Sequence, residues 1–167
     1  MIPQKAAKGS VKMKIREIEK KDNKTVESII RYCLTEFGAA HEGTAWEDPD
    51  LNRFSEVYST EGNKYWVAED AAGKVVGGTG IGFLTEDICE LQKMYCLPEA
   101  RGTGTAHILI KTALEYAKKY YKKCYIETFS NMKAAQRFYE KYGFERVEEP
   151  PVKTAHFACD VRYIKIL

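Results

Sequence analysis

From Val11 to Glu17 apolar and charged side chains alternate, with Val11, Met13 and Ile15 on one face and Lys12, Lys14 and Arg16 on the other. A period of two belongs to a strand with one wet face, so this segment is expected at or near a sheet edge. After Asp22, a candidate N-cap, the period lengthens. Val26, Ile29, Ile30, Cys33, Leu34 and Phe37 recur at helical spacing, and Gly38 follows as a stop. Ala39 to Tyr58 has no long period, although Leu51 to Tyr58 reads as a short helix; such an irregular stretch is where a substrate wall is expected. Lys64 to Glu69 and Lys74 to Leu84, joined through Asp70, Ala71, Ala72 and Gly73, read as a hairpin, and Ile88 to Cys96 as the next strand, ended by Pro98.

The second half repeats the alternation of periods. Ala106, Leu109, Ile110, Ala113, Leu114 and Ala117 form a helical stripe. Lys123 to Phe129 reads as a strand. Ser130 or Asn131 is then the expected cap of a helix carrying Ala135, Phe138, Tyr139 and Tyr142 and stopped by Gly143. Strands around Phe144 to Val147 and Phe157 to Ile166 end the pattern. The predicted order is β α α β β β α β α β β, without internal repeats. Its strand, helix, strand, helix middle implies an α/β fold with a partly parallel sheet and helices packed on it.

A chain of 167 residues with 44% hydrophobic and 30% charged side chains fits one domain, here assigned to residues 11–167 behind a flexible tail at 1–10. Twenty-six basic against twenty-four acidic residues leave a net charge of +2, too balanced to predict nucleic-acid binding. Lys118, Lys119, Lys122 and Lys123, split by two tyrosines, read as the solvated end of a helix. Five cysteines, an odd number without a C-x-x-C pair, indicate a reducing, cytoplasmic setting. The longest weakly polar run, Val75 to Leu84, is too short to span a bilayer and is interrupted by glycines, so no membrane association is expected.

The segment richest in chemistry is Cys96-Leu97-Pro98-Glu99-Ala100-Arg101-Gly102-Thr103-Gly104-Thr105-Ala106, which leaves a strand, turns, and enters a helix. Such a turn aims unpaired backbone N–H groups and the positive end of a helix dipole at one spot, which suits phosphate. Gly102 and Gly104 allow close approach, and Arg101 can add a charge-assisted contact; a glycine-rich turn without a ligand is the other reading. Neither a Walker loop nor a dinucleotide fingerprint is present, since Gly77 to Gly82 lacks the third glycine and is followed by no helix. Those glycines are expected to let a strand bulge or pack closely.

Arg101-x-x-Gly104-x-Ala106 resembles the R/Q-x-x-G-x-G/A signature of the GCN5-related N-acetyltransferases, the GNAT superfamily. Asn131, Ala135, Phe138-Tyr139-Glu140-Lys141 and Gly143-Phe144 resemble its second conserved block. The resemblance implies a GNAT-type twisted mixed sheet of about seven strands flanked by about four helices. It also implies acetyl-CoA in a gap between the fourth and fifth strands, with CoA as product. By the same resemblance, Met94, Tyr95 and Cys96 would pair with the pantetheine arm, and Arg101, Gly102, Thr103, Gly104 and Thr105 would hold the pyrophosphate. Asn131 would contact the arm, and Tyr139 would lie near the thioester sulfur as the acid. An amine acceptor, in the first instance a small molecule, and a homodimer through strand edges are further implications.

The energetics rank the tasks of such a site. A lysine-like amine near pKa 10.4 is neutral in about one molecule in 2,500 at pH 7, a cost of about 4.6 kcal/mol; a cysteine-like leaving thiolate costs only about 2 kcal/mol. Deprotonation and positioning therefore outrank protonation of sulfur. Glu90, on the strand six residues before Cys96, where by the resemblance some members of the family carry an acid, is the candidate base, directly or through water, with Glu127 and His156 as alternatives. No metal is expected, because His156 and Cys159, three apart on a strand, would point to opposite faces. Cys96 has no evident base for acyl-enzyme chemistry. The acids Glu42, Glu47, Asp48 and Asp50 could attract a polyamine but also fit a merely solvated loop. Acetylation of a protein or aminoacyl-tRNA, use of a longer acyl-CoA, and a non-catalytic CoA sensor remain the competing functions.

Overall fold

The period of two in Lys64–Glu69 (β2) divides the molecule into two layers. Tyr65 and Val67 enter one apolar cluster, and Trp66 and Ala68 enter another on the opposite face of the sheet. The computed structural model describes residues 12–167. Helix α1, Asn23–Glu36, covers the first face with Val26, Ile30 and Leu34; α3, Thr105–Ala117, and α4, Lys133–Lys141, cover the second with residues such as Leu109, Ile110 and Tyr139. Full burial of a leucine or isoleucine stabilises by roughly 1.5–3 kcal/mol, so these facing stripes hold helices that would be marginal alone.

The strands are β1 (Lys14–Glu17), β2, β3 (Val75–Phe83), β4 (Ile88–Cys96), β5 (Lys123–Thr128), β6 (Glu145–Val147) and β7 (Val161–Ile166). They form one seven-stranded sheet in the order β1-β2-β3-β4-β5-β7-β6. Every neighbouring pair is antiparallel except β4 and β5, which are joined through α3. The mixed, partly parallel architecture is therefore the one expected, including the short helix α2 at Phe54–Val57.

Several boundaries differ. Val11 and the tail at 1–10 lie outside the described residues. Asp22 stands at the N-cap of α1, but its carboxylate accepts from Arg16 (2.7 and 2.9 Å) and the Glu19 N–H (2.8 Å), fastening the end of β1 to the helix start. Neither Ser130 nor Asn131 caps α4, which begins at Lys133 behind Met132. The last strand begins at Val161, because residues 156–159 make a turn closed by Cys159 N–H donating to the His156 carbonyl, 3.0 Å. That removes the premise that His156 and Cys159 point to opposite faces of a strand.

Two irregular segments are brought together by this turn. Phe157 lies over Gly43, where a Cβ would meet its ring at 2.5 Å, and Ala158 N–H donates to the Gly43 carbonyl, 3.0 Å. The 39–53 and 148–160 segments thus form one wall over the end of the sheet. No helix among the described residues is long and apolar enough to cross a membrane.

Candidate active site

β4 and β5 pair only at Ile88↔Lys123, Cys89↔Cys124 and Glu90↔Tyr125, and then part. The cause lies in β4. Between Tyr95↔Gly78 and Gln92↔Gly80, β4 uses one residue more than β3, and Lys93 adopts φ 51. This is a bulge, which bends its strand and increases its twist. The edge of β4 beyond Glu90 is consequently left without a strand on its β5 side. A narrow cavity of about 60 Å³ occupies the opening, lined by Glu90, Met94, Tyr95, Glu127, Tyr139 and His156 among others. A larger cavity of about 370 Å³ lies alongside, bounded by Asp48, Phe54, Tyr58, Phe83, Lys153 and Thr154. Glu90, Gln92, Lys93 and His156 line both.

Strand alternation determines which side chains reach this junction. Cys89 and Leu91 enter the core beneath α3, so Glu90 and Gln92 project to the other face, where Gln92 Nε2 donates to Glu90 Oε2 at 2.7 Å. The Tyr58 hydroxyl donates to Gln92 Oε1, 2.7 Å, and Tyr58 can lie there because Gly80 carries no side chain; a Cβ would meet its ring at 2.8 Å. A β3 glycine thereby fixes the orientation of Glu90 through two intermediaries. On β5, Cys124 and Ile126 enter the same core as Leu91, leaving Tyr125 and Glu127 on the Glu90 face. The Tyr125 and Thr154 hydroxyls both donate to Glu127 Oε1, at 3.0 and 2.6 Å. Glu127 Oε2 is buried without a hydrogen-bond partner among the described residues.

His156 closes the cluster. Its Nε2 lies 2.8 Å from Asp48 Oδ1, and its Nδ1 faces Glu127 Oε2 at 3.9 Å. A carboxylate only accepts, so Nε2 carries the proton in the neutral ring and Nδ1 keeps a lone pair. Lys93 also contacts Asp48. Burial would raise the Asp48 carboxyl, but the His156 hydrogen bond and the Lys93 charge outweigh it and hold the group below its ordinary value. Glu90 behaves oppositely. Burial pushes its carboxyl up, and Glu127 adds to the rise, against the hydrogen bond from Gln92.

The glycine turn provides the second feature. Gly102 and Gly104 have φ 70 and 89, and the first backbone bond into α3 runs from Ile108 N–H to the Gly104 carbonyl, 3.2 Å. The N–H groups of Thr105, Ala106 and His107 precede that bond and have no acceptor among the described residues. Nothing lies within 4 Å of where a Cβ would stand on either glycine, so the approach to these donors is open. Arg101 does not point its charge into the opening. Nε donates to the Cys96 carbonyl at 2.9 Å, and the guanidinium fork grips Glu36 at 2.9 and 2.7 Å. The side chain fastens the turn to α1, and the orphaned backbone N–H groups are the donors available to an anion.

Not every residue singled out from the sequence converges on the cavity. Glu90, Met94, Tyr95, Glu127, Tyr139 and His156 do. Asn131 is exposed and donates Nδ2 to the Phe37 carbonyl, 3.2 Å, beside the ring that Arg101 covers at 5.6 Å. The Thr103 hydroxyl donates to the Ala100 carbonyl, 2.5 Å, and braces the Thr105 hydroxyl at 2.7 Å. The Cys96 thiol is pushed up to about 11 by burial and by Cys33, against the Arg101 charge, leaving about one thiolate in 10,000 at pH 7. It has the character of a packing thiol. Asp48, in contrast, leaves the group of solvated loop acids, since it holds His156 and Lys93; Asp50 pairs with Arg53, 2.7 Å. Lys93, Gln92 and Thr154 had not been singled out. Of these only Gln92 carried a usable signal, standing in phase with Glu90 on an alternating strand.

A family model for the acetyltransferase (GNAT) domain matches residues 61–146, just over half of the chain and the part that contains the bulged β4, the glycine turn and Tyr139. An uncharacterized N-acetyltransferase of Escherichia coli K12, YjgM, is 42% identical over 158 residues, covering 92% of this chain and 94% of that protein. The chain belongs to the GNAT family. Solved GNAT structures agree with the fold: an acetyltransferase from Staphylococcus aureus Mu50 superimposes with a TM-score of 0.84 at 19% identity, covering 93% of this chain and 99% of its own. The PaiA N-acetyltransferase of Thermoplasma acidophilum, solved in complex with coenzyme A, gives a TM-score of 0.68 at 19% identity, covering 93% of this chain and 99% of its own. Within the GNAT frame the β4–β5 opening is the candidate site, and the 39–53 and 148–160 segments bound the larger cavity beside it.

Proposed function

We propose that this chain, acting as one domain, is an acetyl-CoA-dependent N-acetyltransferase that moves an acetyl group to a small amine by direct attack. One observation carries the reading: Glu90 and His156 stand in the wall shared by the two cavities, so reactants entering from the two sides meet beside proton-accepting groups. The residues fit the donor, with orphaned N–H groups at Thr105, Ala106 and His107 for phosphate and, for an extended arm, the β4 edge at Met94, Tyr95 and Cys96, which has no strand on its β5 side. Its thioester supplies an activated acyl carbon. Glu90 takes the proton that frees the nitrogen lone pair for attack on that carbon, the second proton shed as the amide forms leaves to solvent, and Tyr139 gives its proton to the sulfur as the carbon–sulfur bond breaks. Burial raises the Tyr139 hydroxyl, with Cys96 and Cys124 adding to the rise, so it stays protonated at neutral pH.

Incubation with acetyl-CoA and an amine panel, with free thiol as the readout, tests the reading. Acceptor-dependent thiol release and an N-acetylated product are expected; tight acetyl-CoA binding with no release for any amine would favour a sensor. The rank order of proton transfers sets the size of the Tyr139→Phe effect. Protonating a leaving thiolate is worth at most about 2 kcal/mol at pH 7, so kcat should fall by about 10- to 30-fold with CoA affinity nearly unchanged. Unaltered turnover would remove Tyr139 from the role.

A further inference from the structure

Resting on that reading, we propose that the acceptor is a primary amine bearing an anionic group at its far end, with its ammonium held by Glu90, Glu127 and His156 and its anion met by Lys153. The ammonium site follows from spacing. Acceptor atoms of Glu90, Glu127 and His156 all lie within 4.8 Å of one another. Three acceptors about 2.9 Å from one tetrahedral nitrogen stand about 4.7 Å apart, whereas three ligands about 2.1 Å from a tetrahedral zinc ion stand about 3.4 Å apart. One ammonium nitrogen can reach all three, and the 3.9 Å between His156 Nδ1 and Glu127 Oε2 is wider than the zinc spacing. Glu127 Oε2, buried with no hydrogen-bond partner among the described residues, supplies the unmet demand, and the Asp48 contact leaves Nδ1 of the neutral His156 ring as an acceptor.

The far end follows from charge matching. In the larger cavity Asp48 is paired with Lys93 and Asp50 with Arg53. What remains is acidic at the inner end, Glu90, and basic at the rim, where exposed Lys153 has no ion-pair partner among the described residues. Phe54, Val57, Phe83 and Leu84 form an apolar stretch of the same wall. A cavity of about 370 Å³ is within the usual range for small ligands, roughly 300–1,000 Å³. A polyamine would set its second cation against Lys153, and a carboxylate there would be attracted.

Two homologous series test this on the full chain with acetyl-CoA: ω-aminocarboxylates of two to six carbons and α,ω-diamines of the same lengths. Thiol release gives kcat and KM, and calorimetry on the CoA-loaded protein gives affinity without turnover. The best aminocarboxylate should exceed its matched diamine at least tenfold in kcat/KM and in affinity. Lys153→Glu should raise KM for aminocarboxylates about tenfold, leave kcat unchanged, and shift preference toward diamines. Glu127→Gln should weaken binding of both series alike. A diamine preference in the unsubstituted protein, an unmoved ratio in Lys153→Glu, failure of both series to bind, or micromolar Zn²⁺ binding that requires His156 would each overturn the assignment. Selective binding without thiol release would instead sink acetyl transfer and leave the acceptor class standing.

Discussion

Replacing Glu90 by glutamine is expected to lower kcat by about 100- to 1,000-fold while leaving the protein at least as stable at pH 8. Presenting a neutral amine at pH 7 costs about 4.6 kcal/mol, equivalent to about 2,500-fold in rate, and a positioned base recovers most of it. Glutamine keeps the shape of Glu90 and a carbonyl oxygen for the Gln92 amide, so the variant removes proton acceptance with little else. Because burial raises the Glu90 carboxyl, the acidic limb of the kcat/KM profile should lie above the ordinary carboxylate range and disappear in the variant. The stability sign is opposite to that of an ordinary salt-bridged acid. A group whose folded value exceeds its unfolded one favours folding below the unfolded value, and that contribution is lost as pH rises through the folded value. Glu90→Gln should therefore match or exceed the parent melting temperature at pH 8, with the difference shifting against the variant as pH falls toward 4. Unchanged turnover and an intact acidic limb would pass the base role to the His156–Asp48 pair.

The second large effect is expected at the turn. Gly104 stands at the N-cap of α3 with φ 89 and ψ −2, in the left-handed region, and space around it is open. The cost of Gly104→Val is therefore backbone strain, about 1–2 kcal/mol for an L residue and more for a β-branched one. Rotating out of this conformation relieves the strain by moving the Thr105, Ala106 and His107 N–H groups that would face the pyrophosphate. CoA affinity should fall at least tenfold by calorimetry. The fold should survive, because α3 is held by the fully buried Leu109, Ile110 and Ala113, with a melting temperature lower by about 4–8 °C. Normal CoA affinity in a folded variant would remove the phosphate site from this turn.

The turn and Glu90 were legible in the sequence for different reasons. Gly102 and Gly104 lie between a strand and an amphipathic helix, a local arrangement whose consequence, orphaned N–H groups at a helix start, does not depend on distant residues. Glu90 was legible only as an acid on a strand; its burial and its bond to Gln92 depend on Tyr58, thirty-two residues earlier, lying against a β3 glycine. Asp48 departs from a solvated loop acid because its partners are Lys93 and His156, the latter 108 positions away. Arg101 is assigned to the phosphate by its place in the motif, and its fork meets Glu36 on α1, a contact that no local pattern could reveal.

Local periodicity determined the elements of this protein, and with them the faces on which Glu90, Glu127 and Tyr139 stand, because a side chain's direction on a strand or helix follows from its position alone. The motifs determined the family through residues close together in the chain. Tertiary structure decided what those residues can do. It opened β4 from β5 through a one-residue bulge, docked the 148–160 segment on Gly43, and left one carboxylate oxygen of Glu127 buried and unmatched beside His156. Each of these is a relation between segments far apart in sequence, set by packing and by the need of buried polar groups for partners.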